Sequence, residues 1–399
     1  MSTAAMTRPT PSASILDFDF LRRVCLYIAI VASMSAPFSS DPVAVAGGAM
    51  VPWIILRIVG TPSMPAATIY ILLWQWMQTY ARALQCWIDK EPLGGGLFGP
   101  DVVRAYWYMM ASLVVLACAF RLVLGNLKPP THAQATAHLR WQPSDLLTMY
   151  LGAVGVSMAA MIAMRAVPSL AQVVDGIARL KVVAIFMLFV YAMSTGRAQT
   201  IVVLTVLFEI LVGFTGFLSD FRGVFIYLGV AAIAARVRMK GSTVVGAVIA
   251  AAALITLAMF WTSVKIEYRV FAAQSDESQE IKVPLGQRMA YLGERALSTG
   301  SMNLSATSYT LLSRLAYTDI FASVIGVQDA SPEPIPLRQW TEAIQHVVQP
   351  RVLFPSKPAL SDTEVYMRLA RAFSGENIDR KSTRLNSSHV SESRMPSSA

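Results

Sequence analysis

Two cations, Arg351 and Lys357, stand in the stretch Gln349-Pro350-Arg351-Val352-Leu353-Phe354-Pro355-Ser356-Lys357-Pro358. Pro350, Pro355 and Pro358 forbid a helix there and fix a stiff, extended path. That path keeps the two charges apart, with the apolar Val352-Leu353-Phe354 wedge between them. A guanidinium and an ammonium held at set positions suit a phosphate or pyrophosphate ligand. Taken alone, the stretch reads more readily as a proline-rich surface turn with solvated charges. The choice between the two rests on the elements around it.

Those elements are membrane helices. The chain has 399 residues, 55% of them hydrophobic and 14% charged, with mean hydropathy +0.51. A soluble domain carries about 25% charged residues, so the composition is that of an integral membrane protein. Cys25, Cys86 and Cys118 all fall in apolar runs, which gives neither a disulfide framework nor a zinc site. The net charge of +9 would suit nucleic acid, but the basic residues cluster at span ends, where membrane topology accounts for them.

Nine apolar stretches read as spans: 20–38, 43–59, 66–88, 103–125, 145–165, 180–195, 199–218, 222–238 and 243–262. Residues 1–19 form a polar cytoplasmic tail. With the N-terminus inside, the inner connections carry Arg57, Lys128 and Arg140, Arg197, and Arg236, Arg238 and Lys240, whereas the outer ones carry Asp41, then Asp89, Lys90, Glu91 and Asp101. This is the positive-inside pattern. Arg165, Arg179 and Lys181 run against it. The expected architecture is an all-α polytopic membrane protein: a transmembrane domain over 20–262 and a large helical outward loop over 263–378. Residues 379–399 read as translated sequencing adapter and are set aside from fold reasoning.

The outward segment carries helical patterning. Leu285, Met289 and Leu292 recur at helix spacing, as do Leu337, Trp340, Ile344 and Val347. Ser361-Asp362-Thr363-Glu364 forms a capping box before the apolar face of Val365, Leu369 and Phe373.

Charges inside or beside the spans need partners, because an ionisable group at mid-membrane costs about 2.5–3.5 kcal/mol on insertion scales. Glu209 lies near the centre of its stretch, as a helix contact or a functional acid, and Arg82 in the outer third of its own. Arg222 follows the tight Ser219-Asp220-Phe221 turn and heads the next helix. A cation there opposes the helix dipole and calls for Asp220 or a bound anion. Lys265 and Arg269 lie one turn apart on a helical face just past the last stretch. Together with Arg222, Arg351 and Lys357, they are expected at the outer membrane surface, where the five cations would surround a lipid-borne pyrophosphate.

The outward Arg222-Gly223 turn, the Lys265/Arg269 pair and the Pro350–Pro358 motif on a multi-spanning core resemble bacterial oligosaccharide repeat-unit polymerases, which build O-antigen and exopolysaccharide. The resemblance covers roughly residues 200–375. It implies a metal-independent glycosyltransferase, without a cofactor, acting on a polyprenyl-pyrophosphate-linked glycan at the outer face of the inner membrane. Flippase and chain-length regulator proteins are the implied partners, beside membrane lipid. On that resemblance Arg222 and Arg351 stabilise the departing pyrophosphate, with Lys265, Arg269 and Lys357 in support. Glu294, Asp362 or His346 would activate the acceptor hydroxyl. Such proteins usually continue with further spans, so the family also implies a longer chain. Two other readings stay open. A transporter or flippase of lipid-linked sugars would use Glu209 and Arg82. Another lipid-linked-sugar glycosyltransferase or ligase would use an acid such as Asp41.

Overall fold

The computed structural model describes residues 18–61, 63–95, 99–127, 141–166, 171–216, 221–235, 241–274, 281–298 and 304–330, with isolated positions between 341 and 354. Among these every regular element is helical. The helices are α1 Phe18–Ser35, α2 Pro42–Val59, α3 Ala66–Asp89, α4 Pro100–Leu124, α5 Pro143–Ala166, α6 Ala171–Ala178 and α7 Leu180–Thr195. They continue with α8 Gln199–Thr215, α9 Arg222–Ala234, α10 Gly241–Ala273, α11 Leu285–Leu297, α12 Leu304–Leu315 and α13 Thr318–Ala330.

Local chemistry sets the ends of α2. Pro42 opens it at a position where a missing N–H costs nothing, and Gly60 closes it. Arg22 on α1 reaches over to the end of α2, with Nη2 donating to Gly60 O at 2.8 Å and Nε to Leu56 O at 3.1 Å, a carbonyl that also accepts the Gly60 N–H. Pro52, inside α2, has no N–H to offer the Gly48 carbonyl one turn earlier. Trp76 of α3 fills that place, its indole N–H donating to Gly48 O at 2.8 Å. Tyr80 and Tyr106 donate to Val45 O and Ala44 O, so α3 and α4 are hydrogen-bonded to one face of α2. In a solvent that offers no hydrogen bonds, such side chains satisfy the backbone and fix helix register together.

Three apolar clusters follow. The first packs α2, α3 and α4 through Ile55, Leu72, Tyr106 and Leu113, and it includes Ala322 and Ile325 of α13. The second joins α5, α7 and α9 through Tyr150, Leu188, Phe189 and Ala231. The third gathers Phe214, Phe221, Trp261, Val264, Tyr268, Ala272 and Leu292 from α8, α10, α11 and the turn before α9.

Five helical segments among the described residues are long and apolar enough to cross a membrane: Phe18–Phe38, Pro42–Val59, Pro100–Leu124, Gly176–Thr195 and Val245–Ala273. The kinked pair Thr307–Leu315 and Thr318–Ala330 makes a sixth if counted as one crossing. The sequence predicts nine; α3, α5, α8 and α9 are the four not among these, and for three of them the cause is physical. α8 and α9 have 17 and 13 residues, short of the ~20 that a bilayer core requires. α3 carries Gln75, Gln78, Thr79, Arg82 and Gln85 in succession, which lowers its hydropathy below that of a simple span.

The expected outward segment also differs. α10 runs unbroken through the predicted boundary at residue 262 to Ala273, so Lys265 and Arg269 belong to the long apolar helix itself. Leu285–Leu297 forms the helix its spacing predicts. α12 packs on α3 and α10, and α13 on α4 and α3, so both belong to the helix body. The predicted helices around Trp340 and after Ser361 lie largely or wholly outside the described residues.

Candidate functional site

The third cluster lies beside three of the five predicted cations, Arg222, Lys265 and Arg269. Phe214 at the end of α8 stacks on Phe221 with ring centroids 4.3 Å apart, and it meets Trp261 edge-on at 5.8 Å. Trp261 in turn meets Tyr268 at 5.4 Å. Arg222 directly follows Phe221 and opens α9, half-buried. Lys265 follows Val264 and is 2% exposed, while Arg269 follows Tyr268 and is half-buried. One aromatic core thus carries the residues next to all three cations.

The structure adds a fourth cation that the sequence reading missed. Arg288 on α11 donates through Nη1 to Thr215 O, the last residue of α8, and Tyr268 donates its hydroxyl to the same carbonyl at 2.9 Å. The Arg288 Nε is buried without a hydrogen-bond partner. The signal was present in the sequence: Arg288 lies three residues after Leu285 and four before Leu292, on the face that the helical spacing assigns to the core. A cation at the C-terminal end of α8 also complements the partial negative charge of the helix terminus.

Glu294 is not part of this grouping. It is exposed on α11, beside Arg295, whose guanidinium pairs with Glu267 at 2.5 Å on the outside of α10. Tyr291 links the two sides, with its ring stacked on Phe271 at 4.5 Å and under the Arg295 guanidinium. Arg351, Lys357, Asp362 and His346 lie outside the described residues.

The charges that the sequence places within spans have fixed partners. Glu209 on α8, 9% exposed, accepts from the Tyr150 hydroxyl at 2.6 Å and pairs with Lys181 at 2.8 Å. Arg82, 8% exposed, contacts Asp319 at 3.3 Å and donates to Gln85 Oε1 and Gly95 O, each at 3.3 Å. Asp41 accepts from the Leu93 backbone N–H, tying the start of α2 to the loop after α3. A narrow crevice lined by Ser40, Asp41, Cys86 and Glu91 adjoins that bond. Among the described residues no group of three His, Cys, Asp or Glu side chains could hold a metal ion.

Helices with apolar outer faces and buried polar pairs define an all-α membrane protein. Residues 110–388 match the family model described as a domain of unknown function, DUF8712, and the chain belongs to that family. The match takes in the aromatic cluster with its four cations and the Pro350–Pro358 motif, and it runs past Ile378; α1 to α3 precede it. No curated protein matches the chain, and no solved structure does.

Proposed function

We propose that the protein polymerises polyprenyl-pyrophosphate-linked oligosaccharide repeat units into O-antigen or exopolysaccharide at the outer face of a bacterial inner membrane. The supporting observation is the placement of Arg222, Lys265, Arg269 and Arg288 around one aromatic cluster where α8, α9, α10 and α11 meet. In this reading the N-terminus is cytoplasmic. The cluster then faces the outer surface.

The reaction breaks the bond between the anomeric carbon and the lipid pyrophosphate as an acceptor hydroxyl attacks that carbon. The pyrophosphate leaves with the bonding pair, and the hydroxyl proton passes to a general base or water. Charge grows on the leaving oxygens, where preorganised cations lower the barrier most. Arg222 and Arg351 take that role in this proposal, with Lys265, Arg269, Arg288 and Lys357 binding the remaining phosphate oxygens. No metal is needed for the step, since the leaving group is already stabilised as a pyrophosphate. Flippase and chain-length regulator proteins would supply the donor and set the product length.

The observed pairing favours this reading over a transporter. Glu209 and Arg82, the residues an intramembrane path would use, are each engaged by side chains of neighbouring helices. The test is Arg222→Ala, and separately Arg351→Ala, in a polymer-producing host. Polymer should disappear while single repeat units still reach the cell surface. Polymer of normal length in either variant removes that residue from the site, and loss of the single units as well would point to transport.

A further inference from the structure

We propose that Leu304–Ala330 is a kinked, membrane-embedded element of the transmembrane body, and that the Arg82–Asp319 pair holds it at its kink. The inference concerns architecture and does not rest on the proposed reaction. α12 and α13 meet at a 55° bend with a break at Ala316 and Tyr317. Irregular backbone is tolerated at membrane depth only where protein satisfies its polar groups. That condition holds at this break. The Tyr317 N–H donates to Gln78 O at 3.4 Å, and the Thr318 hydroxyl to Thr79 O at 3.4 Å, both on α3.

Burial agrees. Thr318 and Ala322 are fully buried, Ala316 is 5% exposed, and Ile325 sits with Ala322 in the cluster built by α2, α3 and α4. Gly326 lies so close to α4 that a Cβ there would stand 2.8 Å from the Asp101 carboxylate.

The charges explain both why hydropathy alone misses the element and what fixes it. Asp319 and Asp329 interrupt the apolar run, yet each meets an arginine of another helix. Arg82 on α3 takes Asp319 at 3.3 Å, and Arg104 on α4 pairs with Asp329. The first pair sits at the start of α13, beside the break, and its arginine is among the most buried charges described. Its contacts to Asp319, Gln85 and Gly95 are all 3.3 Å, longer than the 2.7–2.9 Å of a tight charge-assisted bond. The pair therefore acts as a charge contact across the interface. Removing the Asp319 charge leaves the Arg82 cation buried without its counter-ion, and the interface opens.

The experiment uses the full chain in native membrane vesicles and a membrane-impermeant maleimide offered to both faces. Ile325→Cys and Gln287→Cys are labelled separately, with the wild-type protein giving the background from Cys25, Cys86 and Cys118. Cysteine at 287, on the exposed side of α11, should label readily. Cysteine at 325 should stay unlabelled until detergent is added. Equal labelling at the two positions in intact membranes overturns the embedding. Adding Asp319→Asn to Ile325→Cys should produce labelling without detergent, and unchanged protection overturns the role of the ion pair. Should Asp319→Asn fail to accumulate, Thr79→Cys with Thr318→Cys is treated with a short bifunctional thiol cross-linker. Cross-linking supports the docked kink, and its absence overturns it.

Discussion

Lys181 holds its ammonium 2.8 Å from one oxygen of Glu209, and Tyr150 donates its hydroxyl to the other at 2.6 Å. Three helices, α5, α7 and α8, thereby meet at one carboxylate inside the second apolar cluster. Lys181 is also one of the cations that run against the charge pattern of the connections. Its place follows from its partner: a buried acid on α8 needs a counter-ion, and α7 supplies it.

Lys181→Met leaves the Glu209 carboxylate buried with a single donor, and it should destabilise the protein by about 3 kcal/mol. Adding Glu209→Gln to that variant keeps an acceptor for Tyr150 and removes the unpaired charge. The double variant should therefore melt close to the wild type in detergent. An equal loss in the single and double variants would show that packing, and not charge, sets the cost.

Gly48 allows α2 to approach α4 and α3 closely. A Cβ there would lie 1.9 Å from the Tyr106 hydroxyl and 2.8 Å from the Tyr80 ring. Gly48→Ala should push Tyr106 off its bond to Ala44 O and cost about 1–3 kcal/mol, read by thermal unfolding. Gly152→Ala meets no atom within 4 Å and should leave the melting temperature unchanged or raise it.

Asp41 has a structural task, accepting from the Leu93 N–H. Asp41→Asn keeps an oxygen in place for that bond, so folding and polymer formation should both persist. Asp41→Ala should lower stability by about 1–2 kcal/mol, because the Leu93 N–H loses its acceptor. Polymer loss in a stably folded Asp41→Asn variant would instead make this carboxylate catalytic and favour the reading with an acid in the first outer loop.

Arg288 tests the proposed cation site from a direction the sequence did not suggest. Arg288→Lys preserves the charge beside Thr215 and should retain measurable polymer, whereas Arg288→Gln should lower polymer yield by about tenfold or more. Both variants should accumulate to the same level in the membrane. As a control, Glu267→Ala breaks a pair whose partners are both largely exposed, and it should leave polymer and melting temperature alike. Equal yields from Arg288→Lys and Arg288→Gln would assign Arg288 to packing alone.

Much of the candidate site was legible in the residue types. Arg222 after its tight turn, and Lys265 and Arg269 one helical turn apart, are read directly from spacing, and all three flank the same aromatic cluster. Arg288 was harder: spacing puts it on the apolar face of α11, but a lone arginine on an amphipathic helix is ordinarily solvated, and its bond to Thr215 O at the α8 terminus is what singles it out. Glu294 shows the opposite case, a carboxylate at a plausible place in the chain that the fold leaves exposed.

The sequence by itself determined that this is an all-α membrane protein, because hydropathy and helical period depend only on neighbours along the chain. The bounds of α2 and the helix over Leu285–Leu297 follow from the same local rules. Which charges stay buried, and whether a polar-looking stretch joins the helix body, was decided by tertiary structure alone. Glu209 lies 28 residues from Lys181, and Asp319 meets Arg82 from the far end of the described chain. In an apolar surround, the cost of a charge is set by its counter-ion. No window along the sequence contains both members of these pairs.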